Sequence, residues 1–204
     1  MANYNYINEL LYKFSSLGVK TIEKTGATLI GYAPFIAPEA WLNHLFKPLT
    51  MDSICLLEDR IKRPIPDGYR DFLMYFSNGL NVMNGHLSLF GLRTSYSRDT
   101  SDRQPFDLTL VNTIASEKPF NSTKEMFFFG SYMSKGSKLY FDKDSRVCFC
   151  SRENATPLKT WNNLIEMLES ELIRIYKLFD ESGHPLGNTP DFWGFLEKET
   201  EPVV

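Results

Sequence analysis

The sequence predicts an α+β domain in which helices flank an antiparallel sheet of about six strands. Three observations carry this. Apolar residues recur at helical spacing near both ends of the chain. Asn84-Gly85 sits between two short apolar runs, the strongest local signal for a β-hairpin. MFFFGSYM, KLYFD and RVCFC, all aromatic and β-branched, are separated only by Gly136 and by Lys143-Asp144-Ser145, the pattern of an antiparallel meander.

The elements follow in order. Ile7, Leu10, Leu11, Phe14 and Leu17 form one helical face that stops at Gly18, and a strand is expected over 28–32. Ala37-Pro38-Glu39 has the form of a helix start, with Trp41, Leu42 and Leu45 on one face. A further helix after Thr50 would bury Ile54, Leu57 and Ile61. Pro66 and Asp67 suit the first turn of the next, where a missing N–H costs nothing and an acid meets the positive dipole end. Its buried face is Tyr69, Phe72, Leu73 and Phe76, and Asn78-Gly79 supplies the left-handed exit. Strand, two-residue turn and strand are expected over 80–90, then a long polar loop, RTSYSRDTSDRQPF, and a strand or short helix in DLTLVNTI. After the meander, Trp161, Leu164, Ile165, Leu168, Leu172, Ile175 and Phe179 mark a helix of about 20 residues. Thr189-Pro190-Asp191 would cap a short last helix carrying Phe192, Phe195 and Leu196.

The 204 residues suffice for one domain with a substantial core: 43% are hydrophobic and 14% aromatic. A net charge of −3 argues against a general binder of nucleic acid or anionic membrane. The charge is uneven. From Trp161 onward nine acids face three bases, a net of −6, whereas the first 160 residues carry 16 acids and 19 bases. That describes either a solvated helix face with an acidic tail or a surface for a cationic partner. Cys55, Cys148 and Cys150 are expected as reduced thiols, because side chains two apart on a strand lack ordinary disulfide geometry. With no charged and apolar leader pattern at the N-terminus and no run of membrane-spanning length, the expectation is a soluble, cytoplasmic protein.

Chemistry-bearing motifs are sparse. There is no nucleophile elbow, phosphate loop, His-Glu-x-x-His or dinucleotide fingerprint. His44, His86 and His184 fall in separate predicted elements and read as structural or exposed. Cys148 and Cys150 fall short of a four-ligand zinc site, and Asp142-Lys143-Asp144 lacks the glycine and glutamate of a calcium loop, so it reads as a hairpin turn. Phe127, Phe128 and Phe129 read as core rather than a base-stacking platform. No catalytic residue, metal or cofactor is therefore expected.

One ordered series is more telling. Leu57-Glu58-Asp59-Arg60-Ile61, Pro66-x-x-Tyr69-x-x-Phe72-Leu73, Asn78-Gly79 and Leu89-Phe90-Gly91-Leu92 together resemble the SUKH superfamily, with Ile65 in place of its usual leucine before Pro66 and Phe90 as the strand-end aromatic. Phe129-Gly130, Phe141-Asp142 and the stretch from Trp161 to Phe179 look like its later half. The likeness runs over 50–180 of a single domain spanning 1–204, leaving 1–49 as an N-terminal elaboration and 181–204 as a tail. It implies a strongly twisted sheet and no catalytic motif. Its bacterial members are typically immunity proteins that protect a cell from its own secreted toxin, often a nuclease.

Three functions follow for testing. The first is an immunity protein that neutralises a basic toxin by stoichiometric binding, with Glu166, Glu169, Asp180 and Glu181 along the last helix, or Asp99 and Asp102 in the polar loop, as contacts. The second is a regulatory scaffold for a non-toxin protein. The third is a small enzyme, which would require a buried carboxylate pair or a His–carboxylate pair in a deep pocket.

Overall fold

Nine strands pair in the order in which the chain makes them, each antiparallel to the next: β1 (Val19–Thr21), β2 (Thr28–Tyr32), β3 (Trp41–Leu45), β4 (Leu80–Val82), β5 (Leu87–Leu89), β6 (Phe127–Tyr132), β7 (Lys138–Phe141), β8 (Val147–Cys150) and β9 (Lys159–Trp161). The computed structural model describes residues 3–133 and 136–187. Among these residues, which hold all nine strands, five α-helices complete the α+β fold: α1 (Asn5–Leu11), α2 (Met51–Ile61), α3 (Asp67–Tyr75), α4 (Leu108–Thr113) and α5 (Leu164–Tyr176). The tail helix expected from Thr189 lies outside the described residues.

Alternation sorts the strand side chains. Leu80, Val82, Leu87, Leu89 and Tyr132 point into a core shared with α1, α2, α3 and α5, while Asn81, Ser88 and Ser131 take the opposite face. Tyr69, fully buried, sits at the centre of this core. Its ring lies 4.8 Å from Phe129 and 5.5 Å from Phe72, and its hydroxyl donates to the Phe90 carbonyl. Phe127, Phe128 and Phe129 are all fully buried, as the core reading required.

The residues carrying the family-like series hold elements together. Glu58 on α2 accepts from the Ile65 N–H at 2.9 Å and from Arg70 at 2.8 Å, pinning α3 to α2 across the proline turn. Asn78 clasps the exit of β5: its Oδ1 accepts from Leu92 N–H at 2.7 Å and its Nδ2 donates to Leu92 C=O at 3.0 Å. Both flanking glycines are required by this clasp. A Cβ on Gly91 would lie 2.6 Å from the Asn78 carbonyl oxygen, and Gly79, at φ +85°, would bring one within 2.7 Å of the Leu89 carbonyl.

Several expectations need correction. The segment after Ala37-Pro38-Glu39 is strand β3, not a helix. Trp41 and Leu42 are both buried because β3 is covered on both faces, so adjacent apolar residues mimic a helical stripe, and pairing with β2 and β4 decides the outcome. The β4–β5 turn is four residues, Met83 to His86, with positive φ at Met83, Asn84 and Gly85, rather than the two-residue form. Trp161 belongs to β9, so α5 has 13 residues and starts at a reciprocal cap. Asn163 accepts from Glu166 N–H at 3.0 Å and Glu166 accepts from Asn162 N–H at 2.9 Å. The sheet exceeds six strands because β1, β3 and β9 were not anticipated.

Two more differ in part: the first helical run divides into α1 and a 3-10 turn over Tyr12–Leu17, and α3 ends at Tyr75, so Phe76 is only part-buried and Gly79 lies beyond the helix end. Other expected elements are present. α2 buries Ile54, Leu57 and Ile61 behind a Thr50 cap, DLTLVNTI forms α4, and Asp142 organises the β7–β8 turn by accepting from Asp144 and Arg146 N–H, both at 2.9 Å. All three cysteines are free. Cys55 is exposed, and burial pushes the Cys150 thiol up to about 12.

Candidate functional site

The face of the sheet opposite the core carries a polar row set by register alone: His44 lies beside Asn81, Asn81 beside Ser88, Ser88 beside Ser131, and Ser131 beside Lys138. Polar residues alternate with core residues on four adjacent strands here, so the row is built into the fold. The loop 93–106 leans over one end of it. Together they enclose a trough of two adjoining cavities. One, of about 310 Å³, is lined by His44, Asn81, Arg93, Arg98, Arg103 and Phe106 among others. The second, of about 260 Å³, shares His44, Asn81 and Phe106 and continues to Ser88, Ser131 and Met133.

Arg103 is the best-anchored group in the trough. It donates to the Glu39 carbonyl and lies 3.4 Å from His44 Nε2. Among the described residues no carboxylate pairs with it. Arg93 stacks on Tyr96 at 4.7 Å and donates to the Ser95 carbonyl, whereas Arg98 is exposed. Phe106 and Met133 are exposed in the trough's lining, and Tyr96 is exposed against Arg93. In the floor, Asn81 Oδ1 is shut off from solvent and has no hydrogen-bond donor.

His44 is only 8% exposed, and burial, reinforced by the Arg103 charge, lowers its pKa from 6.5 to about 4. The imidazole is therefore neutral at pH 7. Its folded value lies below its unfolded one, so between pH 6.5 and about 4 the unfolded chain binds a proton that the folded chain refuses. Stability contributed by His44 is intact above pH 6.5 and drains away as pH falls, by on the order of 3 kcal/mol at the lower limit. Urea midpoints of the wild type should drop across this window, and His44→Gln should flatten that part of the slope. Parallel slopes would show that other groups carry it.

The acidic residues expected at a contact do not form one patch. Glu166 and Glu169 lie in the first two turns of α5, and Glu166 is occupied with its cap. Asp180 and Glu181 lie beyond the other end of this helix, which is about 20 Å long by helical rise. Asp180 accepts from the Ser182 and His184 N–H groups, leaving Glu181 the more exposed. Asp99 and Asp102 are in the loop over the trough. Asp99 caps Ser101, and Asp102, its side chain 8% exposed, accepts from Ser95 and pairs with Lys24 at 3.5 Å. One His–carboxylate pair, His184 with Asp180 at 3.9 Å, sits in an exposed turn.

One acid is elsewhere altogether. Glu171, counted above with the solvated helix face, is 1% exposed. Its carboxylate accepts from Tyr132 OH at 2.7 Å and from Arg174 at 2.6 and 3.0 Å, with Lys159 at 3.5 Å. Among the described residues there is no group of three or more metal-ligating side chains, and no helix is long and apolar enough to cross a membrane.

The chain matches no family model, curated protein or solved structure. Sequence reading had named the two acids of loop 93–106 but not its arginines and aromatics. The available signal was Arg93, Tyr96, Arg98, Arg103 and Phe106 interleaved in one polar segment. Nothing local could have placed that segment over His44 and Asn81, because the juxtaposition comes from the β3–β4 register.

Proposed function

We propose that this chain is a binding protein that neutralises a protein toxin of its own cell by stoichiometric contact, an immunity protein of the kind its family-like residues imply. The observation that carries a binding role is the rim of the trough. Phe106 and Met133 stand exposed beside three arginines over a preformed concavity, with Tyr96 exposed against Arg93. Aromatic residues, methionine and arginine are the side chains enriched where proteins meet, and they supply most of the truncation-sensitive contacts.

The toxin reading rests on the resemblance and on the charge balance. Glu169 and Glu181, the least committed of the acids, are the contacts offered to a basic toxin. Protection requires an affinity near ~10⁻⁹ M and an interface of about 1,600 Å². That area exceeds the trough, which lies on the face of the sheet opposite α5, so the α5 acids would belong to a separate contact. Co-expression with the toxin encoded beside the chain should restore growth and yield a stable complex. A neighbouring toxin that still kills, and does not co-purify, would exclude the reading. A scaffold for a non-toxin partner would instead be recognised by the identity of the captured protein.

A further inference from the structure

The trough has a chemistry of its own, distinct from that of the α5 acids. Its fixed features are three arginines, of which Arg103 is part-buried and makes no salt bridge among the described residues, although the Glu39 charge acts on it. The two carboxylates that also line it, Asp99 and Asp102, are engaged inside the loop, and Asp102 is neutralised by Lys24. His44 adds no charge, because it is neutral at pH 7.

We propose that the trough binds an extended acidic peptide segment of a protein partner, with its carboxylates on Arg103, Arg93 and Arg98. Arginine forks take carboxylates in a planar, paired geometry, and Arg103 is already oriented by Glu39 and His44, so little side-chain freedom is lost on binding. The chain's net charge of −3 opposes a polyanion of nucleic-acid density. Phe106 and Met133 accept apolar side chains lying between the acids.

The inference rests on the chain being a binding protein, but not on the partner being a toxin. The test is calorimetric titration of the full chain at low salt with a short peptide alternating glutamate and leucine, its glutamine counterpart, and single-stranded oligothymidylate. The acidic peptide should bind and the glutamine peptide should not. Arg103→Gln should weaken binding about tenfold or more, the loss of one charge-assisted contact. Arg98→Gln, which touches no other part of the fold, should weaken it several-fold, and decides the matter if Arg103→Gln does not fold. Lys143→Gln, in the β7–β8 turn, should change nothing. Absence of binding, indifference to Arg98→Gln, or tighter binding of the oligonucleotide overturns the proposal. Toxin rescue that survives both arginine substitutions would overturn the trough alone and leave the immunity role standing; peptide binding without rescue would do the reverse.

Discussion

Glu171→Ala should lower the unfolding free energy by about 3 kcal/mol, seen as a fall in the urea midpoint at unchanged slope. The carboxylate is the common acceptor of Tyr132, Arg174 and Lys159, and removing it leaves a phenol and a guanidinium facing a vacated, nearly dry site. Breaking a buried ion pair from one side costs about 3–5 kcal/mol. The lower end applies here because Arg174 and Lys159 keep 18% and 30% side-chain exposure and can turn their charged ends toward water. Replacing the group as a whole by Glu171→Leu, Arg174→Met and Tyr132→Phe should recover most of the loss, since burying a charge cluster stabilises little beyond an apolar substitute of equal volume. A triple variant as unstable as Glu171→Ala would mean that the carboxylate stabilises by more than satisfying its neighbours.

Asn78→Ala should cost about 2–4 kcal/mol. Its carboxamide satisfies both the N–H and the C=O of Leu92, and each buried group left without a partner costs about 1–3 kcal/mol. Gly91→Ala drives a methyl group into the same clasp and should be of similar size. The two substitutions should be strongly non-additive, because each disables what the other depends on. Additive losses in a double-mutant cycle would show that Gly91 is constrained by something other than Asn78.

These residues show where a sequence speaks and where it stays silent. Helices α2 and α3 were legible because each has one wet and one dry face, so burial writes a period of 3.6 into the chain. The meander β6–β8 was legible for a similar reason: dense aromatic runs are broken by tight turns. Strand β3 was misread because it is dry on both faces, and strands β1 and β9 were missed because three residues are too few to show a period of two. For the candidate site the limit is deeper. His44, Asn81 and Arg103 are far apart in the chain and meet only through strand register and a loop crossing, neither of which leaves a local mark. Glu171 was hidden by its own chemistry, since an acid on a helix is ordinarily wet.

The strictly sequential strand order has a kinetic consequence. Every strand pairs with its neighbour in the chain, so the sheet can grow one strand at a time, although the β3–β4 and β5–β6 connections are long and hold α2, α3 and α4. The contact of α1 with α5 closes a still longer loop, running from Leu11 to Leu164. Loop closure costs grow only slowly with length, yet this contact has to wait until α5 exists. During synthesis the sheet would therefore form ahead of its final cover, and opening of the finished protein would begin where α1 meets α5. Hydrogen exchange gives the ordering directly: amides of β4 to β7 should outlast those of α1, and equal protection would mean that the ends lock as early as the centre.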